Sequence, residues 1–195
     1  MFAYRSLSAD DPKIIEHLLA LTPEDRRCRF HGATSDERIR HYCAEMTGRT
    51  AHLVGCFEGE RLVGLIEIVL SGEGAERRGE VGISVAHDRR DRGIGHALVQ
   101  HALDFAANHG VSLVFGYLPD NARIPRIVHD LGGTVNRVAA EAELAAPAPT
   151  AFSLCLEAID DLGLLAADIL DFWRRALMAP LAEPAPAEPS PPKAA

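Results

Sequence analysis

The stretch from Glu80 to Gly110 constrains this chain more than any other. It reads Glu-Val-Gly-Ile-Ser-Val-Ala, then His-Asp-Arg-Arg-Asp-Arg-Gly-Ile-Gly, then a run of apolar residues at helical intervals. Val81, Ile83 and Val85 alternate with Glu80, Gly82 and Ser84, the period of a strand with one apolar face. Ile94, Leu98, Ala102, Phe105 and Ala106 recur at helical spacing, and Gly110 stands where a left-handed cap belongs. Between strand and helix lie Arg89, Arg90, Arg92, Gly93 and Gly95. Glycines let a backbone approach a ligand, and the first turn of a helix leaves amides pointing outward with partial positive charge. Such a terminus receives phosphate, and arginines reinforce it. The expected ligand is an anion, a pyrophosphate in this setting.

Two common phosphate loops are excluded. A Walker loop needs Gly-Lys-Ser/Thr, and no lysine is present in the stretch. A dinucleotide fingerprint wants a small residue three places beyond Gly95, where Leu98 stands. What remains, Arg90-x-x-Gly93-x-Gly95 after a strand and opening a helix, resembles the coenzyme A loop of the GNAT acetyltransferase superfamily. The resemblance implies that the main-chain amides of Arg90, Asp91, Arg92, Gly93, Ile94, Gly95 and His96 hold the pyrophosphate of acetyl-CoA. The residues alone also fit an arginine-rich surface turn capped by glycines.

The flanking chain reads as mixed α/β. Phe2 to Leu7 predicts a strand, and Ser8-Ala-Asp-Asp-Pro12 starts a helix with Ile14, Ile15, Leu18, Leu19 and Leu21 as its stripe. Thr22-Pro23 opens a second helix; Ser35-Asp36-Glu37 opens a third, carrying Ile39, Tyr42, Cys43 and Met46 and closed by Gly48. Residues 50–57 and 61–70 predict a hairpin around Glu58-Gly59-Glu60, and a charged turn from Gly72 to Gly79 leads into the strand at Glu80. Ser112 to Leu118 is a buried-type strand, Pro125 starts a short helix ending at Leu131-Gly132-Gly133, and residues 134–144 and 151–156 predict two more strands. Asp160-Asp161 opens a last helix with Leu162, Leu165, Ile169, Phe172, Trp173 and Leu177, and residues 180–195 collapse to a Pro/Ala-rich tail of disordered composition. The expected divisions are therefore 1–158 for the domain, 159–179 for an amphipathic helix and 180–195 for the tail. This order matches the GNAT fold: a central mixed sheet of six to seven strands flanked by helices, with an extra C-terminal helix. Within that superfamily the chain resembles the bacterial Pat-type protein-lysine acetyltransferases, through Leu21-Thr-Pro-Glu-Asp-Arg-Arg-Cys-Arg-Phe30 and the Asn121-x-Arg segment that runs to Leu131-Gly132.

Acetyl transfer to an amine needs a group to take the ammonium proton and a hydrogen bond for the carbonyl oxygen. Glu80 matches by position the glutamate taken as base in Pat-type enzymes, while the residues alone also allow a strand-edge carboxylate paired with Arg77 or Arg78. Glu67 is the reserve, read from alternation as facing the surface. The resemblance implies that Ile83 and Val85 pair with the pantetheine arm as another strand would. It also implies that a main-chain amide near Val85 polarises the carbonyl and that Asn121 holds the pantetheine; an Asn capping a loop is the plain alternative. Many GNAT enzymes place a proton-donating tyrosine where Val128 stands, so no general acid is named; the adjacent His129 points roughly 100° away on a helix. His87, His96, His101 and His109 form no zinc spacing, and Cys56 and Cys155 read as core residues.

Composition sets the remaining bounds. The chain has 195 residues, 47% hydrophobic, with a net charge of -8 from 28 acids and 20 bases. No basic footprint points to nucleic acid, and the acidic balance suits a cationic acceptor. Four scattered cysteines and the lack of an apolar signal core or membrane-length run predict a cytoplasmic protein with reduced thiols. The expected activity is acetyl-CoA-dependent N-acetyl transfer to a primary amine, protein lysine first, by direct transfer in a ternary complex without metal, in a monomer or homodimer. The alternatives are a small-molecule amine acetyltransferase and a non-catalytic acyl-CoA sensor.

Overall fold

The computed structural model describes residues 1–46, 52–74 and 77–178. The expected Gly48 cap and the 180–195 tail lie outside them. The elements run β1 (Phe2–Ser6), α1 (Pro12–Leu19), α2 (Pro23–Phe30), α3 (Asp36–Met46), β2 (His52–Glu58), β3 (Arg61–Ser71), β4 (Arg78–Val85), a 3-10 turn (His87–Arg89), α4 (Ile94–His109), β5 (Ser112–Gly116), α5 (Arg123–Asp130), β6 (Thr134–Asn136), β7 (Glu141–Leu144) and α6 (Ala151–Met178). The strands form one mixed sheet in the order β1-β2-β3-β4-β5-β7-β6. All neighbours are antiparallel except β4 and β5, which are parallel and joined through α4.

Helices cover both faces of this sheet, and strand alternation decides what each meets. Ile66 and Ile68 of β3 pack with Leu98, Val99, Ala102 and Ala106 of α4, all at or below 1% exposure. Leu65, on the other face of the same strand, packs with Ile14 and Leu18 of α1 and Ile39 and Met46 of α3. Local signals set the helix starts. Asp11 accepts from the Lys13 amide, and Thr22 Oγ1 accepts from the Asp25 amide at 3.2 Å with Pro23 following. Removing the Thr22 cap by Thr22→Ala is expected to cost about 1 kcal/mol, seen as a melting temperature lower by roughly 3 °C. An unchanged melt would mean that α2 is held by its tertiary contacts alone.

Three boundaries differ from the sequence expectation. The single strand expected over 134–144 is a hairpin: Asn136 Oδ1 accepts from the amides of Val138 and Ala139, both at 3.1 Å, and turns the chain into β7. The strand expected over 151–156 is the start of α6, which therefore begins well before Asp160. Thr150 and Ser153 cap it reciprocally: Thr150 Oγ1 accepts from the Ser153 amide at 3.0 Å and Ser153 Oγ from the Thr150 amide at 3.1 Å. Helix α5 begins at Arg123, so Pro125 sits inside its first turn, where no acceptor is owed an amide. Of the apolar stripe on α6, Leu162, Leu165 and Ile169 are exposed, and the side chains of Phe172, Trp173 and Leu177 lie outside those described. No described helix is long and apolar enough to cross a membrane.

Candidate active site

The loop between β4 and α4 adopts the form its sequence suggests. Gly93 caps α4 with φ 78°, a conformation that admits glycine without strain, and Asp91 precedes it at φ 57°. Ile94 is 1% exposed and anchors the first turn in the core. The Ala97 amide donates to the Gly93 carbonyl at 3.0 Å, so the amides of Ile94, Gly95 and His96 belong to the turn that owes no intrahelical bond. Arg92 and His96 are exposed beside them. The other two loop arginines are committed to carboxylates. Arg89 holds Glu58 at 2.7 Å and Asp88 at 2.9 Å, and Arg90 pairs with the buried Asp25 of α2. The backbone, more than the arginines, is thus what the loop offers an anion.

A wedge leads away from this loop. Strands β4 and β5 pair only at Arg78–Ser112, Gly79–Leu113 and Glu80–Val114, although β4 continues to Val85 and β5 to Gly116. Beyond Glu80 the strands diverge, leaving the β4 backbone from Val81 to Val85 without a partner strand on that side. The wedge belongs to a cleft of about 1380 Å³ that includes Ile83, Val85, Gly93, Ile94, Gly95, His96 and Asn121 in its walls. Arg90, Asp91 and Glu80 line the same cleft, so every residue expected from sequence to serve as base or coenzyme contact, except Arg92, borders one space.

Glu80 is exposed where the wedge closes, and Ser71 Oγ donates to its Oε1 at 2.9 Å, in place of the pairing with Arg77 or Arg78. Glu67 corrects the surface reading. It is 1% exposed, holds Arg29 Nη2 at 2.7 Å and accepts from the Tyr42 hydroxyl. Alternation does place Glu67 away from α4, but α2 and α3 cover that face. Arg29, Tyr42 and Glu67 all line the cleft, and no local spacing in the sequence ties the three together.

Other residues were invisible to motif reading. His17 is buried, with Nδ1 against the Leu62 carbonyl at 3.1 Å and Nε2 against Ser84 Oγ at 2.9 Å, so α1 braces β4. Burial drives its pKa down to about 4, helped by the charges of Arg29 and Arg61 and opposed by the Leu62 hydrogen bond. His31, in a left-handed C-cap at φ 56°, meets the Gly116 carbonyl at 3.1 Å, at the open end of β5. Asn121 Oδ1 accepts from the Arg123 amide at 3.1 Å, a turn that leads into α5, while the residue borders the cleft. Val128 is fully buried, and His129 is exposed beside Asp130. His101 lies tilted against Tyr4 and His109 stacks on Phe105, while Cys155, expected in the core, is exposed on α6. Among the described residues no group of three or more His, Cys, Asp or Glu is placed to hold a metal.

Known proteins bear directly on this geometry. The family model of the acetyltransferase (GNAT) family matches residues 15–124. None of the curated proteins matches the chain in sequence. Among solved structures, the GNAT domain of S. lividans PAT superimposes with a TM-score of 0.59 at 18% identity, covering 72% of this chain and 87% of that one. Similar in fold are yncA of Salmonella typhimurium with its cofactor acetyl-CoA (TM-score 0.55, 18% identity, 77% and 98% covered) and the paia N-acetyltransferase of Thermoplasma acidophilum in complex with coenzyme A (0.53, 17%, 74% and 99%). At such identities these likenesses speak for the fold. The family match covers more than half of the 195 residues and includes the whole strand–loop–helix unit, so the chain belongs to the acetyltransferase (GNAT) family of N-acetyltransferases.

Proposed function

We propose that this protein transfers the acetyl group of acetyl-CoA to a primary amine, a protein lysine first, by direct attack within a ternary complex. One observation carries the reading: a parted pair of parallel strands opens onto the bare amides of a glycine-started helix. The pyrophosphate sits on the amides from Arg90 to His96, with Arg92 free to add charge. The pantetheine arm lies in the wedge, where the unpaired β4 backbone around Ile83 and Val85 bonds it as a strand would, and Asn121 faces it from the loop ahead of α5. The thioester then lies near the closing end of the wedge, close to Glu80. The amine arrives from the α2–α3 side and meets Glu80 of β4 where the wedge closes. Wedge and acceptor side share one cleft, so the nucleophile reaches the carbonyl without a covalent enzyme intermediate.

Glu80 takes the ammonium proton, directly or through one water; its exposure and its single hydroxyl partner leave an oxygen available. The test is thiol release from acetyl-CoA offered poly-lysine and small alkylamines, for wild type and Glu80→Gln. Turnover is expected to fall at least tenfold in the variant with coenzyme affinity preserved, within the range seen for a lost general base. Undiminished turnover removes Glu80 from the role, and coenzyme binding without turnover on any amine would favour an acyl-CoA sensor. The relative rates on poly-lysine and alkylamines separate a protein acceptor from a small one.

A further inference from the structure

We propose that Arg29 is a catalytic residue of the transfer, its Nε–H donating to the oxyanion formed when the amine attacks the thioester. This rests on the reading that acetyl-CoA occupies the wedge.

Arg29 lies in the last turn of α2, and its guanidinium lies against β4. A Cβ placed on Gly82 would overlap its Cζ and Nη2, so the glycine is what admits the group. Gly82 lies two residues past Glu80, the last β4 residue paired with β5, which puts the cation on the wall of the wedge near its closing end. The side chain is held from three directions. Nη2 donates to Glu67 at 2.7 Å and to Tyr42 Oη at 2.8 Å, and the guanidinium stands 5.1 Å from the Phe30 ring centroid and 5.4 Å from that of Tyr42. Glu67 is opposite Gly82 in the β3–β4 register, so the ion pair spans adjacent strands directly beneath the cleft.

One donor is left over. Arg29 Nε is buried and has no hydrogen-bond partner, on a side chain only 8% exposed. An unmet buried donor is costly, and more so when charged. Nη2 is committed to Glu67 and Tyr42, whereas Nε is buried without a partner and is the group awaiting an acceptor. The transfer supplies one. With the ammonium proton already on Glu80, the amine lone pair forms the C–N bond, the carbonyl π pair moves to oxygen, and the second nitrogen proton is lost to solvent water. The oxygen pair then re-forms the C=O bond as the C–S bond breaks with its electron pair leaving on sulfur, giving the amide and the coenzyme thiolate, which is protonated from solvent. Arg29 gives up no proton; it offers a charged hydrogen bond where negative charge develops, beside a β4 main-chain amide.

The double variant Arg29→Ala/Glu67→Gln removes both charges together and so avoids stranding a buried carboxylate. Melting temperature, acetyl-CoA affinity by calorimetry, and kcat by thiol release with the best amine from poly-lysine and alkylamines are measured side by side. Affinity within threefold of wild type and kcat lowered at least a hundredfold are expected, the range for one oxyanion donor. Millimolar guanidinium chloride is expected to restore part of kcat in this variant and none in Glu80→Gln. Gly82→Ala, which leaves every charge in place but displaces the guanidinium, is expected to slow kcat as well and serves if the double variant does not fold. Wild-type kcat in the variant that folds, or a loss carried by affinity alone, overturns the role of Arg29 while leaving the acetyltransfer reading intact. A wild-type protein that fails to bind acetyl-CoA overturns both.

Discussion

Lowering the pH from 7 to 5 is expected to reduce the melting temperature by roughly 10 °C, an effect centred on two buried imidazoles. His17 and His52 both have pKa values pushed down to about 4 from the ordinary 6.5. Burial is the main cause for each. Around His52 the charges of Asp160 and Asp161 oppose it, and His109 and His101 add to it. The unfolded chain takes up a proton at each site as the pH falls below about 6.5; the folded chain does so only near 4. Through that window the unfolded state binds more protons, so stability rises with pH. The contribution is full above 6.5 and is lost as pH falls toward 4. For a shift of this size the loss is about 2 kcal/mol per histidine at pH 5 and about 3 at pH 4. His17 counts nearly in full and His52, partly exposed and stacked on Phe105 at 4.5 Å, somewhat less. Because marginal domains hold only 5–15 kcal/mol in reserve, the change is large. It also reaches the site, since a protonated His17 can no longer accept from Ser84 on the strand that lines the wedge. Thermal melts of wild type and His17→Gln from pH 7 to pH 4.5 check this. A shallower pH slope in the variant is expected, and equal slopes would assign the acid sensitivity elsewhere.

The strand–loop–helix unit was legible because its signals are local. Alternation from Glu80 to Val85, glycine at a positive-φ cap and apolar residues at helical spacing all lie within thirty-one residues, 80 to 110, and need no knowledge of the rest of the fold. The acceptor side was not legible, for the opposite reason. Glu67 alternates out of the α4 face, and alternation cannot say whether the other face meets water or a second helical layer. Its partners Arg29 and Tyr42 come from separate helices, 38 and 25 residues away, and Asp25 reaches Arg90 across 65 residues. Pairing between distant charges leaves no periodic trace. The misreading of residues 151–156 has a different origin. Phe152, Leu154 and Leu156 alternate with small or polar residues, yet the Thr150–Ser153 cap commits the segment to helix well before Asp160. The hairpin at Asn136 was hidden because Val138, Ala139 and Ala140 carry no glycine or proline to mark the turn.

Replacing Gly93 by valine is expected to lower acetyl-CoA affinity about a hundredfold, the effect of roughly 2–3 kcal/mol of strain and misplacement. At φ 78° and ψ -1° a β-branched residue is strained whatever the surrounding space, and a Cβ at this position meets nothing within 4 Å. The loss would therefore come from the backbone, not from a steric clash with neighbouring side chains. Relief of the strain rotates the peptide that directs the amides of Ile94, Gly95 and His96, and those amides are the anion site because Arg89 and Arg90 are already bound to Glu58, Asp88 and Asp25. The same reasoning orders the arginines. Arg92→Ala is expected to weaken coenzyme binding only a few-fold, as an exposed charge in salt solution should. Calorimetric titration with acetyl-CoA, beside a melt to confirm that the variants fold, measures both. If Arg92→Ala cost as much as Gly93→Val, side-chain charge would be the dominant force on the pyrophosphate, and the amides of α4 would only complete the site.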